Sequence, residues 1–184
     1  MAKVFNNIVL SGLTGSLGGK LVLRRGRRGQ TIVSKKPVFA PDREFSAAQK
    51  EHQDAFREAA AYAKSVKDEE LYLTKAKQTG QTPYNLAVAD WFRKPQITEL
   101  DISGWNGQAG QLIHIRALDD VQITRVSVVI TDGNGTLFEQ GNAQPGEASW
   151  WTYVTTAQAN GTRRLQVIAL DRPGHTAHTT WQNN

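Results

Sequence analysis

From Gln96 onward the apolar residues change their spacing, from steps of three and four to steps of two, and this change constrains the fold more than any other feature. Ile97, Leu100 and Ile102 open an extended segment, and Gly104-Trp-Asn-Gly107 turns it. Leu112–Ala117, Val126–Ile130, Thr136–Glu139, Ser149–Val154 and Leu165–Leu170 follow as further runs, and His175–Trp181 supplies a seventh. Alternation puts one face of each run toward a core and the other toward water. Asp132-Gly133-Asn134-Gly135 is a strong hairpin signal between the third and fourth runs. Short alternating runs separated by frequent turn signals predict an antiparallel β-sandwich.

Residues 46–94 carry the other period. Ser46 and Gln49 stand at the spacing of a capping box, and His52, Ala55, Phe56, Ala59, Ala63 and Val66 then recur on one face, with Tyr62 at its margin. This predicts a helix from about 47 to 67. A second is expected over 68–77, with Asp68, Glu69 and Glu70 at its positive end. A third starts at Thr82-Pro83, presents Tyr84, Ala87, Val88, Trp91 and Phe92, and ends at Lys94-Pro95. Phe56 and Trp91 are the expected aromatic anchors. The fold class that results is α+β, divided as a basic arm over 1–41, a helical segment over 42–95 and a sandwich over 96–184.

The arm differs in kind. Residues 1–41 contain eight basic side chains and no acid, a charge of +8, whereas 42–95 are neutral and 96–184 carry −3, within a total of +5. Its glycines, Gly12, Gly15, Gly18 and Gly19, precede Leu21–Leu23, an Arg24-Arg25-Gly26-Arg27-Arg28-Gly29 segment, Thr31–Val33, and then Lys35 and Lys36. That order predicts a β-ribbon whose tip is the Arg/Gly segment. An isolated ribbon is marginal in water, so something is expected to lie against it.

The chemistry of catalysis finds no constellation. A phosphate loop needs a first glycine where Thr14 stands and a hydroxyl where Leu21 stands. Gly15-Ser16-Leu17-Gly18 is one residue short of a nucleophile elbow. His52, His114, His175 and His178 have no metal-ligand spacing, and Asp119-Asp120 reads as a surface turn rather than a calcium site. Cysteine is absent, which removes disulfides and thiolate sites. No cofactor, no metal and no enzymatic activity are expected. No signal peptide and no membrane span are read in the sequence, so a cytoplasmic protein or a component of an assembled extracellular or virion-like particle is expected.

Ile113-x-Ile115-x-Ala117-x-Asp119, Val126-x-Val128-x-Ile130-x-Asp132-x-x-Gly135, Glu139-x-Gly141-x-Ala143, Trp151-x-Tyr153 and Val167-x-Ala169-x-Asp171-x-x-Gly174 resemble a bacterial immunoglobulin-like or fibronectin-III-like domain over about 96–182. The resemblance implies a sandwich in which the Ala-x-Asp and Asp-x-x-Gly elements mark strand ends and turns. It implies no function. Gly12-x-x-Gly15-Ser-x-Gly-Gly19, Gly29-Gln-x-Ile32-Val-x-x-Lys36-Pro37 and Gln49 before Phe56 are similar to a layout in uncharacterised bacterial proteins.

The expected function is structural: self-assembly into a homo-oligomer, filament, sheath or virion-like component through Gly12, Gly15, Gly18, Gly19, Arg24, Arg25, Arg27, Arg28, Lys35 and Lys36. Strand exchange and pairing of arginine forks with carboxylates are its physical basis, and Asp119, Asp120, Glu139 and Glu147 are the expected acceptors. Nucleic acid is the first alternative partner, although no aromatic side chain lies between Lys20 and Lys36 to stack on bases. Carbohydrate is the second, with Trp105, Trp150, Trp151 and Trp181 as stacking platforms.

Overall fold

The computed structural model describes residues 2–4, 8–10, 12–26, 29–39 and 43–183. Contacts divide the chain into two compact units, Met1–Gln49 and Lys50–Asn184. It is an α+β protein.

The first unit is an antiparallel sheet built around the expected hairpin. Strand β1 is Ala2–Val4, β2 Gly15–Leu17, β3 Leu21–Arg25 and β4 Thr31–Lys35, and they lie in the order β1-β4-β3-β2. β3 and β4 pair from Leu21↔Lys35 to Arg25↔Thr31, and the Gly26 amide donates to the Gln30 carbonyl at 2.8 Å to close the tip. The ribbon is thus widened on both sides by three-residue strands. Gly18 and Gly19 take φ of 57° and 67° between β2 and β3, the left-handed geometry that hairpin turns of the primed type demand.

In the helical layer the capping box forms as the spacing predicts. The Ser46 amide donates to Gln49 Oε1 at 3.1 Å, and the Gln49 amide donates to Ser46 Oγ at 3.3 Å. Helix α1 runs Ala47–Val66, but its apolar stripe is buried only at Ala59, Ala63 and Val66. Phe56 is 50% exposed and is no anchor, because the stripe meets a core only in the last two turns. Helix α2 spans Glu70–Thr79 and ends at Gly80 with φ 68°; it starts two residues later than expected because the Glu69 amide still bonds back to the Val66 carbonyl. Helix α3 is Pro83–Phe92, with the Thr82 side chain accepting from the Asn85 amide and Pro83 at the first position.

All seven expected strands form, with one short addition. β5 is Gln96–Asp101, β6 Leu112–Leu118, β7 Ile123–Asp132, β8 Leu137–Asn142, β9 Gln144–Pro145, β10 Trp150–Val154, β11 Arg163–Asp171 and β12 Thr176–Gln182. They make two antiparallel sheets, ordered β5-β6-β10-β9 and β12-β11-β7-β8. Ile113, Ile115 and Ala117 from one sheet and Val126, Val128, Ile130, Leu165, Val167 and Ala169 from the other share one core, all essentially without exposure. Side chains buried at every second position of both sheets make this a sandwich. The two Asp-x-x-Gly elements end strands in the same way. Asp132 Oδ1 accepts from the Asn134 and Thr136 amides, Asp171 Oδ1 from the Gly174 and His175 amides, and Gly135 and Gly174 take φ of 89° and 101°.

A second core holds the helices to one end of the sandwich. Ala63, Val66, Tyr72, Ala76, Leu86 and Ala87 close around Val121, which lies in the β6–β7 connection. Polar ties reinforce it. Lys75 Nζ donates to the Asp120 carbonyl at 2.9 Å, Arg172 pairs with Glu69, and the Trp91 ring meets His175 edge-on at 5.3 Å. Trp91 is the anchor that Phe56 is not.

Candidate assembly interface

The N-terminal sheet has almost no core of its own. Leu23 and Thr31 alone are buried among its described residues, and seven of the thirteen exposed large apolar side chains of the described chain fall before residue 50: Ile8, Val9, Leu13, Leu17, Val38, Phe39 and Phe45. Val38 is 92% exposed, and it helps to line a groove of about 550 Å³ with Gly19, Lys20, Leu21, Lys35 and Lys36. The Lys36 amide donates to the Lys20 carbonyl at 2.8 Å, which holds the two rims together. The groove is therefore apolar inside and lysine-rimmed.

Of the other arm residues, Arg24 and Arg25 are exposed at the end of β3. Arg27 and Arg28 lie outside the described residues. Gly12, Gly15, Gly18 and Gly19 all take positive φ, and no atom stands within 4 Å of where a Cβ would sit at any of them. Conformation is enough to require glycine there.

The four expected acceptor acids are placed very differently. Glu139 is buried: its Oε2 accepts from the Thr156 amide at 2.6 Å, the Thr156 hydroxyl at 2.5 Å, the Ala157 amide at 3.1 Å and the Tyr153 hydroxyl at 3.2 Å. It ties β8 to the segment after β10, and burial together with this carboxylate pushes the Tyr153 phenol up to about 12. Asp119 Oδ2 accepts from the Val121 and Gln122 amides, and Asp120 pairs with Arg93. Glu147 is exposed in the turn between β9 and β10.

Two acids that sequence reasoning misses stand elsewhere. Glu99 and Asp101 lie on β5, a sheet edge, opposite Arg116 and His114 of β6. Those partners face away from the core, because Ile113, Ile115 and Ala117 face into it. The outer face of this sheet thus carries one row of Glu99, Arg116 and Trp150, a second of Asp101, His114, Thr152 and Gln144, and a third of Leu112 and Val154. Arg116 Nη1 bonds Glu99 Oε1 at 2.5 Å and its guanidinium lies 5.9 Å from the Trp150 ring centre. Hydrogen bonds from Ser103 hold the Asp101 carboxyl below its ordinary pKa. A bulge between Ile97 and Glu99 sets this phase; counted straight from Ile97, Glu99 would face inward.

The tryptophans do not form a common platform. Trp105 is 6% exposed and packs edge-on against Trp181, and both, with Trp151, belong to the sandwich core; Trp150 alone is on the outer face.

In the helical layer three titrating side chains, Tyr62, Tyr72 and Asp90, meet, with Tyr72 and Asp90 buried and Tyr62 half-buried. Tyr62 and Tyr72 hydroxyls are 2.5 Å apart, and the Tyr72 hydroxyl donates to Asp90 Oδ2 at 2.6 Å. Burial pushes Asp90 up to about 6 against the pull of that hydrogen bond, with Asp119 adding a like charge; burial also raises both tyrosines, Tyr62 to about 12. No three acids or histidines among the described residues are grouped to hold a metal, and no helix among them is long and apolar enough to cross a membrane.

No family model matches the chain, and no curated protein matches it. Solved structures give three partial likenesses. CopC from Methylosinus trichosporium OB3b is 22% identical over 48% of this chain and 89% of its own length, with a TM-score of 0.36. An engineered protein is 20% identical over 54% of this chain and 26% of its own, at 0.39. A conjugative transposon lipoprotein from Bacteroides eggerthii DSM 20697 is 12% identical over 50% of this chain and 95% of its own, at 0.28.

Proposed function

We propose that this chain is a structural subunit that assembles with copies of itself through its N-terminal sheet. The observation that carries the reading is the set of exposed apolar side chains in the N-terminal unit, beside its lysine-lined groove. Monomers seldom leave so many large apolar side chains clustered in one small unit, and such clusters mark contact surfaces. Covering Ile8, Val9, Val38 and Phe39 contributes on the order of 1.5–3 kcal/mol for each side chain that is fully buried, before ordering costs. Opposite charge on the two halves, +8 over 1–41 against −3 over 96–184, favours contact of one copy's N-terminal unit with the sandwich of the next. Such a contact is heterologous and either closes into a ring or continues as a filament.

Sedimentation velocity of the full chain, beside a Val38→Asp/Phe39→Asp variant, tests the reading. The unaltered chain should sediment as oligomers whose size grows with concentration, and the variant as a monomer of native fold. A full chain that stays monomeric across the concentration range ends the proposal. Binding to random RNA or DNA at low salt, with no self-association, would return the arm to the nucleic-acid reading.

A further inference from the structure

The sandwich offers its two outer faces to a basic partner unequally. On the β12-β11-β7-β8 sheet the core residues Val126, Val128, Ile130, Leu165, Val167 and Ala169 fix the outward set. That set includes Arg125, Arg164, Gln166, Ile168, Ser127 and Val129, and no acid stands among the outward residues of β7 and β11. A lysine-rimmed groove is repelled there. On the β5-β6-β10-β9 sheet the outward set includes Glu99 and Asp101 at the β5 edge, opposite Arg116 and His114, and the β9–β10 turn adds the exposed Glu147, so that acids outnumber the one arginine. Beside the acids stand Leu112 and Val154, paired across β6 and β10 and 42% and 49% exposed, large apolar side chains with no buried neighbour on their own face to explain them.

We infer that the outer face of the β5-β6-β10-β9 sheet is the acceptor surface for the N-terminal sheet of a second copy. This rests on the assembly reading above and names the partner surface it leaves open. Lys20, Lys35 and Lys36 line a groove together with Leu21 and the exposed Val38. Asp101 stands at the β5 edge one row from the apolar pair, and Glu99 one row further along the same edge. An apolar patch with complementary charge at one edge suits a specific contact: burial supplies affinity, and the charges select the face and the orientation. Glu99 is already held by Arg116 with half its side chain exposed, so its carboxylate is oriented outward and retains free acceptor positions. The β5 edge also leaves one row of backbone amides and carbonyls unpaired within its sheet, open to strand addition by β2, the equally short-handed edge of the N-terminal sheet.

Charge reversal tests the pairing in the full chain. A donor variant carries Lys35→Glu/Lys36→Glu, an acceptor variant Glu99→Lys/Asp101→Lys, and a third chain all four changes. All four positions are at the surface, and circular dichroism checks that each variant folds. At low ionic strength, where screening is weakest, each two-site variant should need at least about tenfold more protein to assemble, and the four-site chain should return to within about threefold of the original. Two outcomes overturn the inference. One is assembly of the acceptor variant at the original concentration, which leaves self-assembly intact but places its acceptor elsewhere. The other is loss in both variants without recovery in the four-site chain, which means the two sets of charges do not face each other. A monomeric unaltered chain instead removes the assembly reading itself.

Discussion

Asp90 offers the most quantitative test of the folded unit. It is 1% exposed, bonded through Oδ2 to Tyr72, and its Oδ1 has no partner. Burial raises it from the ordinary 3.8 to about 6. The native state therefore holds this proton more tightly than the unfolded chain does. Stability contributed by the neutral form is fully present below about pH 4 and is lost as pH rises through about 6. A shift of about two units corresponds to about 3 kcal/mol. Asp90→Asn keeps an oxygen for the Tyr72 hydroxyl and removes the titration. Its stability relative to the parent should therefore rise by about 3 kcal/mol between pH 4 and pH 7, which is roughly 6–12 °C in Tm for a chain of this size. Urea unfolding of both proteins at half-unit pH intervals reads the difference directly, and groups that titrate in both cancel. A difference that is flat across this range means that Asp90 ionises normally in the native state and that burial does not raise it.

Other substitutions separate buried polar roles from surface ones. Glu139→Ala strips acceptors from two backbone amides and two hydroxyls, and should cost about 3 kcal/mol in urea unfolding, whereas a surface carboxylate would cost almost nothing. Gly107→Ala combines φ of 100° with a Cβ driven into the Ala159 carbonyl and the Arg163 guanidinium, and should cost at least about 2 kcal/mol. Phe56→Ala should change stability by less than about 0.5 kcal/mol, because that ring is half exposed on the unburied half of α1.

The strands and helices are legible in the sequence wherever periodicity is long and regular. Alternation locates all seven longer strands of the sandwich, and the capping box and Thr82-Pro83 locate two helix starts. What escapes is what bulges and short strands control. β1 and β2 are three residues each, too short for any period to register. Two bulges reverse the facing of acids: one after Ile97 turns Glu99 outward, and one between Ile130 and Thr131 sets Glu139 opposite Ile130 and into the interior. Alternation counted without them turns Glu99 inward and Glu139 outward, the reverse of where they stand. The Tyr62–Tyr72–Asp90 chain escapes for another reason, since its members come from three helices and meet only through packing.

Assembly as proposed brings the N-terminal sheet of one copy against the β5-β6-β10-β9 face of another. Equal amounts of full chain with natural and with heavy nitrogen, mixed and treated with a zero-length carboxyl–amine cross-linker, read that contact by mass spectrometry. Linked peptides joining Lys20, Lys35 or Lys36 to Glu99 or Asp101 should carry mixed isotope labels. Links found only within one label, or none to the β5 acids, would contradict it.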